Sequence, residues 1–242
     1  MNPSSYAYRG VDHFLNLDVY RNEKTHGIFH INSLQAKGRR MKFLCAHDRL
    51  EEASSVGNDI LSLLAISGAT HSNAYGISVR IALALNFAKS PLSLAYAQEL
   101  ISREIDLFSK TACVVRSPTG TYDVLYSTTT TTKKPFLKHV TLWILADLYN
   151  ASAIIKYAAG HVADAVSDNE KASYLFGVLY DETKNTYVKT HRLVEGIRFA
   201  HRINMFNGKV LREALLRDDA RVAPLKATCL FFCLVTGPSS FF

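Results

Sequence analysis

The sequence has little of several features that each point to a particular class of protein. Its 242 residues include only 4 cysteines and 6 prolines, and the cysteines have no spacing typical of a disulfide framework. Charged residues make up 20% of the chain and hydrophobic residues 48%, which excludes the composition of a disordered protein. The longest apolar stretch, 140–159, is interrupted by Asp147, Asn150 and Lys156, so we predict no membrane span.

Catalytic and metal-binding motifs are also lacking. There is no HExxH, no GxSxG, no Walker A and no GxGxxG in a strand-to-helix context. Cys229 and Cys233 have the spacing to meet on one face of a helix, but no second Cys or His pair with metal spacing accompanies them. We therefore predict no enzyme, no cofactor and no metal site. Residues 1–10 lack the apolar segment of a secretory signal, and the cysteine usage fits a reducing compartment.

Positive charge is present in excess and is unevenly distributed. The chain has 28 Lys and Arg against 21 Asp and Glu, for a net charge of +7. Residues 21–50 contain seven Lys and Arg against Glu23 and Asp48, and residues 184–212 contain seven against Glu195 alone. Clustering of this kind indicates a surface for a polyanion more strongly than the total charge does.

Hydrophobic periodicity predicts a mainly α-helical fold with a few short β-strands or hairpins. Short apolar runs at 27–34 and 41–46 flank a predicted basic turn at 37–40. The hydrophobic period changes to about two residues on both sides of Ser117-Pro118-Thr119-Gly120, and this change predicts a hairpin. Thr128–Thr132 with Lys133-Lys134-Pro135 predicts a linker between two lobes. Helices are expected after a cap at Asn58 or Asp59, and over 76–88, 93–109, 136–157, 169–179, 186–203 and 209–216.

Three basic clusters are candidate binding sites for a phosphate backbone. In the first cluster, which lies within residues 37–42, Gly38 in the predicted turn would allow the phosphate backbone to approach closely. In the third, a single helix over 184–203 would place the cations and His191 opposite an apolar stripe of Leu193, Val194, Ile197 and Ala200. An ordinary solvated surface remains the alternative explanation of each cluster. The members are Lys37, Arg39, Arg40 and Lys42 in the first, Lys133, Lys134 and Lys138 in the second, and Lys184, Arg198 and Arg202 in the third.

The order of three segments has a counterpart in a known family. In the first segment, Gly27-Ile28-Phe29-His30-Ile31-Asn32 precedes Ala36-Lys37, just as an aromatic strand precedes lysine-rich residues in that family. Gly57-Asn58-Asp59-Ile60 and Ile66-Ser67-Gly68 match a capped helix that ends in Ser-Gly. Residues 105–148 follow the order helix, hairpin, Thr-containing loop and apolar helix. In these features, which cover about half of the chain, the sequence resembles the orthobunyavirus-type nucleoproteins of segmented negative-strand RNA viruses.

This resemblance implies a two-lobed, nucleoprotein-like architecture with terminal arms. The lobes would be residues 19–127 and 128–216, with single-stranded RNA held without sequence specificity in a basic groove between them. The arms, 1–18 and 217–242, would dock on neighbouring copies to form rings or filaments, although the apolar tail packing on its own domain is an equal alternative. Tail residues expected in oligomerisation are Leu230, Phe231, Phe232, Phe241 and Phe242.

The resemblance also implies partners and a location. The partners are single-stranded RNA, further copies of the chain and the viral polymerase, with no small-molecule substrate. The location is the virion and the host cytoplasm.

Two other functions stay open from the residues alone. A viral matrix or peripheral structural protein would place the same cations on an anionic membrane, and a small transferase would use scattered histidines and carboxylates.

Overall fold

The computed structural model describes residues 3–68, 74–126, 135–186 and 192–217. Within these ranges the regular structure consists of eight α-helices, one β-hairpin and a short 3-10 helix at Pro91–Ser93. The elements are α1 (Pro3–His26), α2 (Ile31–Ala46), α3 (Leu50–Ile66), α4 (Ala74–Phe87), α5 (Leu94–Ser109), β1 (Ala112–Arg116), β2 (Tyr122–Tyr126), α6 (Pro135–Ala158), α7 (Val162–Thr186) and α8 (Arg192–Arg217).

The predicted fold class is confirmed: the chain is mainly α-helical with one small antiparallel hairpin. In that hairpin Ala112 pairs with Tyr126 and Arg116 with Tyr122. The turn is closed by the amide of Ser117, which donates to the carbonyl of Thr121 at 2.7 Å. Gly120 has a φ of +84°, a conformation that favours glycine, so the Pro-Gly turn chemistry of the sequence is used here as expected.

The predicted basic turn at 37–40 is wrong, because residues 31–46 form the single helix α2. Leu34, Met41 and Leu44 recur at helical spacing and are buried against α3 and α4, and Gly38 is buried on the helix with them. The chain turns earlier, at Gly27 with φ +88°. His30 then caps α2, since its Nδ1 accepts a hydrogen bond from the amide of Asn32 at 3.2 Å.

Three further helix boundaries differ from the predictions. Asn58 and Asp59 lie within α3, which begins at Leu50, so neither is a helix cap. The segment 184–203 is not one helix, because α7 ends at Thr186 and α8 begins at Arg192. Helix α8 then continues through Asn207-Gly208, where the sequence suggested a break. At Asn207 and Gly208, burial against α6 and α7 overrides the weak helix propensity of the two residues.

Helix α4 connects two apolar clusters. Tyr75, Val79 and Leu83 pack with α2 and α3, whereas Ile77 and Ile81 pack with α5 to α8. The second of these clusters is the larger, and it takes residues from both sides of the proposed lobe boundary at 127/128. The division of the chain into two lobes and two arms stays a prediction, although residue 18, the end of the proposed first arm, lies inside helix α1.

Buried polar groups connect α6, α7 and α8. Asp168 of α7 accepts hydrogen bonds from Ser152 Oγ at 2.7 Å and Lys156 Nζ at 2.6 Å, both on α6. Asn204 of α8 donates to Asn150 Oδ1 at 3.0 Å. Because buried polar groups are costly when unpaired, these contacts fix the rotation of α7 and α8 relative to α6. Among the helices that the structure describes, none combines the length and the hydrophobicity of a membrane span.

The packing of α7 in the large cluster gives the first prediction. Phe176 is fully buried there, so Phe176→Ala is expected to lower the free energy of unfolding by about 3–5 kcal/mol through lost burial and a cavity. Leu92 is 98% exposed, so Leu92→Ala is the matched control and should change stability by less than about 0.5 kcal/mol. Urea denaturation followed by circular dichroism measures both, and equal losses would contradict this assignment of the core.

Candidate nucleic-acid interface

The first predicted cluster lies on α2, where its cations pair with carboxylates of the chain itself. Lys37 Nζ lies 2.9 Å from Glu23 Oε1 and 2.6 Å from Asp59 Oδ2. Burial is the largest single influence on Lys37 and acts to lower its pKa, but the hydrogen bonds and charges of Asp59 and Glu23 outweigh it and raise the pKa. Lys37 is therefore held in its charged form by two acids of the same chain.

The two arginines of this cluster are paired with α1 in the same way. Arg39 Nη2 lies 2.6 Å from Asp18 Oδ2, and Arg40 Nε lies 3.6 Å from Asp12 Oδ1. Arg49, which the sequence analysis did not select, binds the other oxygen of Asp12 at 2.7 Å. Lys42 is exposed, and no ion pair involves it in the part of the chain that the structure describes.

Helix α1 is held mainly by these charges. Its half-buried residues recur at helical spacing and include Asp12, Asp18 and Glu23, so an acidic side faces α2. No side chain between residues 10 and 26 is fully buried. The outer side of α1 leaves several large apolar residues exposed to solvent, namely Val11, Phe14, Leu17 and Tyr20.

Two members of the third cluster meet at Tyr180 of α7, and Lys138 of the second cluster contacts the same helix at Glu182. Lys138 Nζ of α6 lies 2.5 Å from Glu182 Oε1, and His139 Nε2 lies 3.2 Å from the other oxygen of this carboxylate. Lys184 pairs with Asp181, and its Nζ lies 5.6 Å from the centre of the Tyr180 ring. Arg198 of α8 lies at the same 5.6 Å from that ring and donates to Tyr180 Oη at 3.2 Å. The structure therefore brings Lys184 and Arg198 together at Tyr180, although they belong to two helices, whereas Lys138 contacts α7 at Glu182.

A larger group of cations lies along the exposed side of α8, and we call it the α8 ridge. At 3.6 residues per turn its four members fall within an arc of about 80° over about 21 Å of helix. Ile197 and Ala200 are buried away from these cations, as the sequence predicted, and Val194, four residues before Arg198, is also buried near the start of α8. Phe199, which is 59% exposed, and Met205 lie beside the cations. The α8 ridge consists of Arg198, Arg202, Lys209 and Arg212.

The pairing of the α8 ridge differs from that of the α2 cluster. Within the described residues, no carboxylate lies within ion-pair distance of Arg198, Arg202, Lys209 or Arg212. Arg198 is bonded to Tyr180, and Arg212 Nε donates to the carbonyl of Gly208 at 3.1 Å. A phosphate can therefore bind to these cations without first displacing an acid of the described residues.

Lys209 and Arg212 were not among the predicted site residues, because the sequence predicted a break between helices at 186–203 and 209–216. Gly208 has a packing role instead: a Cβ at this position would lie 2.9 Å from Asn169 Nδ2 on α7. Lys209 and Arg212 follow Arg198 by 11 and 14 positions, a spacing that places all three on one face of a helix. That spacing was the available signal for a ridge that continues past Gly208.

Other predicted site residues lie outside the described residues. They include Lys133 and Lys134 of the second cluster, His191, and the oligomerisation residues Leu230, Phe231, Phe232, Phe241 and Phe242. The groove between the first and third clusters stays a prediction. Within the described ranges, no group of three or more His, Cys, Asp or Glu is placed to hold a metal ion.

Comparison with known proteins adds no assignment. No protein-family model matches the sequence, no curated protein matches it, and no solved structure matches the fold. The arrangement of charge is therefore the feature from which a function can be argued.

The ion pairs between α1 and α2 give the second prediction. The double variant Asp12→Asn, Asp18→Asn removes the acids that hold Arg39, Arg40 and Arg49, and each exposed or half-exposed pair contributes about 0.2–1 kcal/mol. We expect amide hydrogen exchange in α1 to become several-fold faster, with exchange in α6 to α8 unchanged. In the wild-type chain, 1 M salt should have the same effect because it screens these pairs.

Asp106→Asn is the matched control for this experiment, since Asp106 is exposed on α5 and far along the chain from the α1–α2 contact. It should leave exchange in α1 unchanged. If the double variant exchanges at the wild-type rate in α1, the helix is held by its few apolar contacts instead.

Proposed function

We propose that this chain binds single-stranded RNA, with the phosphate backbone lying along the α8 ridge and most of the binding energy independent of base sequence. The observation that supports it is the set of four cations on one exposed face of α8 without carboxylate partners among the described residues. Each cation that neutralises a phosphate releases condensed counterions, which provides affinity without base recognition. The α2 cations contribute less, because each of the three paired ones must first lose its acid.

Aromatic side chains near the ridge suit the same ligand. Phe199 is exposed one residue from Arg198, and Tyr180 lies beneath Arg198 and Lys184. Bases of a single strand stack on such rings irrespective of their identity. A basic helix face with adjacent rings therefore accommodates both the backbone and the bases of a flexible strand.

The biological role that we propose is that of a viral nucleoprotein which encapsidates genomic RNA and assembles into rings or filaments. The sequence resemblance and the mainly helical fold with one hairpin support this role. Under this proposal the viral polymerase is a further partner, and the protein is found in the virion and the host cytoplasm. The chain is then a binding and structural protein and not an enzyme.

A matrix-type function is the second candidate, and one observation favours it. Large apolar side chains, among them Phe199, Met205 and Leu216, are exposed on the helix that holds the α8 ridge. A helix with cations and apolar residues on its solvent side can lie on an anionic membrane surface. The experiment below distinguishes the two ligands.

The third prediction concerns the salt dependence of RNA binding. In the triple variant Arg198→Ala, Arg202→Ala, Lys209→Ala, we expect the affinity for a single-stranded RNA to fall about tenfold or more at low salt. The slope of log K against log salt should decrease in magnitude by about 2, since each lost phosphate contact on a single strand contributes about 0.7. Fluorescence anisotropy at several salt concentrations measures both quantities.

The matched control removes the same number of positive charges elsewhere and consists of Lys24→Ala, Arg103→Ala and Lys110→Ala. All three residues are exposed: Lys24 lies on α1, Arg103 on α5 and Lys110 in the turn after α5. This control should bind RNA like the wild-type chain. Equal loss in both variants would show a general effect of net charge and contradict the proposed site. Flotation with phosphatidylserine vesicles, without any RNA binding, would favour the matrix function.

A further inference from the structure

A small cavity lies where the β-hairpin, α7 and α8 meet, beside the end of the α8 ridge. Its volume is about 200 Å³, and Tyr122, Asn169, Glu170, Ser173 and Arg212 are among the residues that line it. This volume equals that of about seven waters in the liquid, enough for one planar base. Val166 and Leu211 supply apolar surface for the faces of a ring.

The aromatic wall of the cavity is held in a fixed position. Tyr122 Oη donates a hydrogen bond to Glu170 Oε2 at 3.2 Å, and the Tyr122 ring contacts the ring of Tyr174 at a centroid distance of 5.9 Å. Burial, followed by the charge of Glu170, raises the pKa of Tyr122, so the phenol keeps its proton at neutral pH. Tyr122 is therefore a stable surface for stacking.

The polar groups of the cavity are mostly acceptors. Glu170 is exposed, and its carboxylate has lone pairs beyond the one that Tyr122 uses. Asn169 is only 3% exposed, its Nδ2 donates to the carbonyl of Asn204 at 3.3 Å, and its Oδ1 accepts no hydrogen bond from any described residue. A buried acceptor without a partner is costly, and a ligand that brings a donor removes that cost.

The side chain at the rim is a cation. Arg212 belongs to the α8 ridge and also lines the cavity. Its Nε is bonded to the carbonyl of Gly208 at 3.1 Å, which holds the guanidinium in place and leaves its other donors for a phosphate. The cavity and its rim thus offer a site for a base and a site for the phosphate next to it.

We propose that this cavity binds one guanine base, which the RNA strand on the α8 ridge supplies. Guanine has two adjacent donors on its Watson–Crick edge, N1–H and the exocyclic amino group, and a carboxylate accepts both at once. Adenine and cytosine have only an amino group on that edge. Glu170 is the residue that distinguishes guanine, Asn169 and Ser173 add acceptors, and Tyr122 stacks on the ring. This inference rests on the proposed function, and it adds a base preference at one position to binding that is otherwise independent of sequence.

The test measures binding of cytidine octamers by fluorescence anisotropy. One octamer has a central guanosine, one has a central inosine, which lacks the exocyclic amino group, and one has cytidine only. For the wild-type chain we expect the guanosine octamer to bind about tenfold more tightly than the all-cytidine octamer, with the inosine octamer between them. Glu170→Gln should remove this preference and leave the affinity for the all-cytidine octamer within about twofold.

Glu213→Gln is the matched control, because Glu213 is an exposed carboxylate of α8 that does not line the cavity. This variant should keep the preference for guanosine, and circular dichroism melting checks that both variants fold. Octamers that bind equally well with and without guanosine, or a preference that survives Glu170→Gln, would overturn the inference and leave the proposed RNA binding intact.

Binding of guanosine monophosphate shows whether the cavity takes its guanine from a free nucleotide or from an RNA strand. If it binds in a Glu170-dependent way while no octamer binds, the guanine site is supported and the proposed RNA function is overturned. If neither the nucleotide nor any octamer binds, both are overturned. These outcomes keep the failure of the cavity assignment distinct from the failure of the functional proposal.

Discussion

The packing of α8 on α7 is the contact on which the proposed site depends. Ile197 and Ala200 are buried on the inner side of α8, and Asn204, about one turn further along, is bonded to α6 and α7. Further along, α8 approaches α7 closely enough that Gly208 faces Asn169 without room for a side chain. Since a helix has only one rotation that satisfies all these contacts, its cations must point outward. The same close approach forms one wall of the cavity beside Arg212.

The second constraint is the distribution of carboxylates among the cations. In the sequence, the α2 cluster is the denser group of positive charge and would be the first choice for a phosphate site. In the structure three of its four cations, Lys37, Arg39 and Arg40, pair with carboxylates of α1, and these ion pairs are partly shielded from solvent. The α8 ridge is less dense but has no such partners within the described residues. A paired cation offers less to a phosphate than a free one, because the ligand must compete with the acid already bound.

Some features were predictable because they depend on local patterns. The hairpin followed from the change of period around Ser117-Pro118-Thr119-Gly120, and the buried side of α8 followed from Val194, Ile197 and Ala200. The same rules failed at Gly38 and Gly208. A turn was predicted at Gly38 and a helix break over 204–208, yet both segments lie inside helices. Tertiary packing decided these positions, and no local pattern contains that information.

The sequence by itself determined the mainly helical class, the hairpin and the unequal distribution of charge along the chain, because these follow from residue order alone. Only the tertiary structure decided which charges are available to a ligand. Asp18 is 21 positions from Arg39, Asp12 is 37 positions from Arg49 and Glu23 is 14 positions from Lys37. Only the packing of α1 on α2 brings these charges into contact, and it neutralises most of the α2 cluster. Long-range pairing of this kind depends on how helices pack, so charge counting along the chain could not find it.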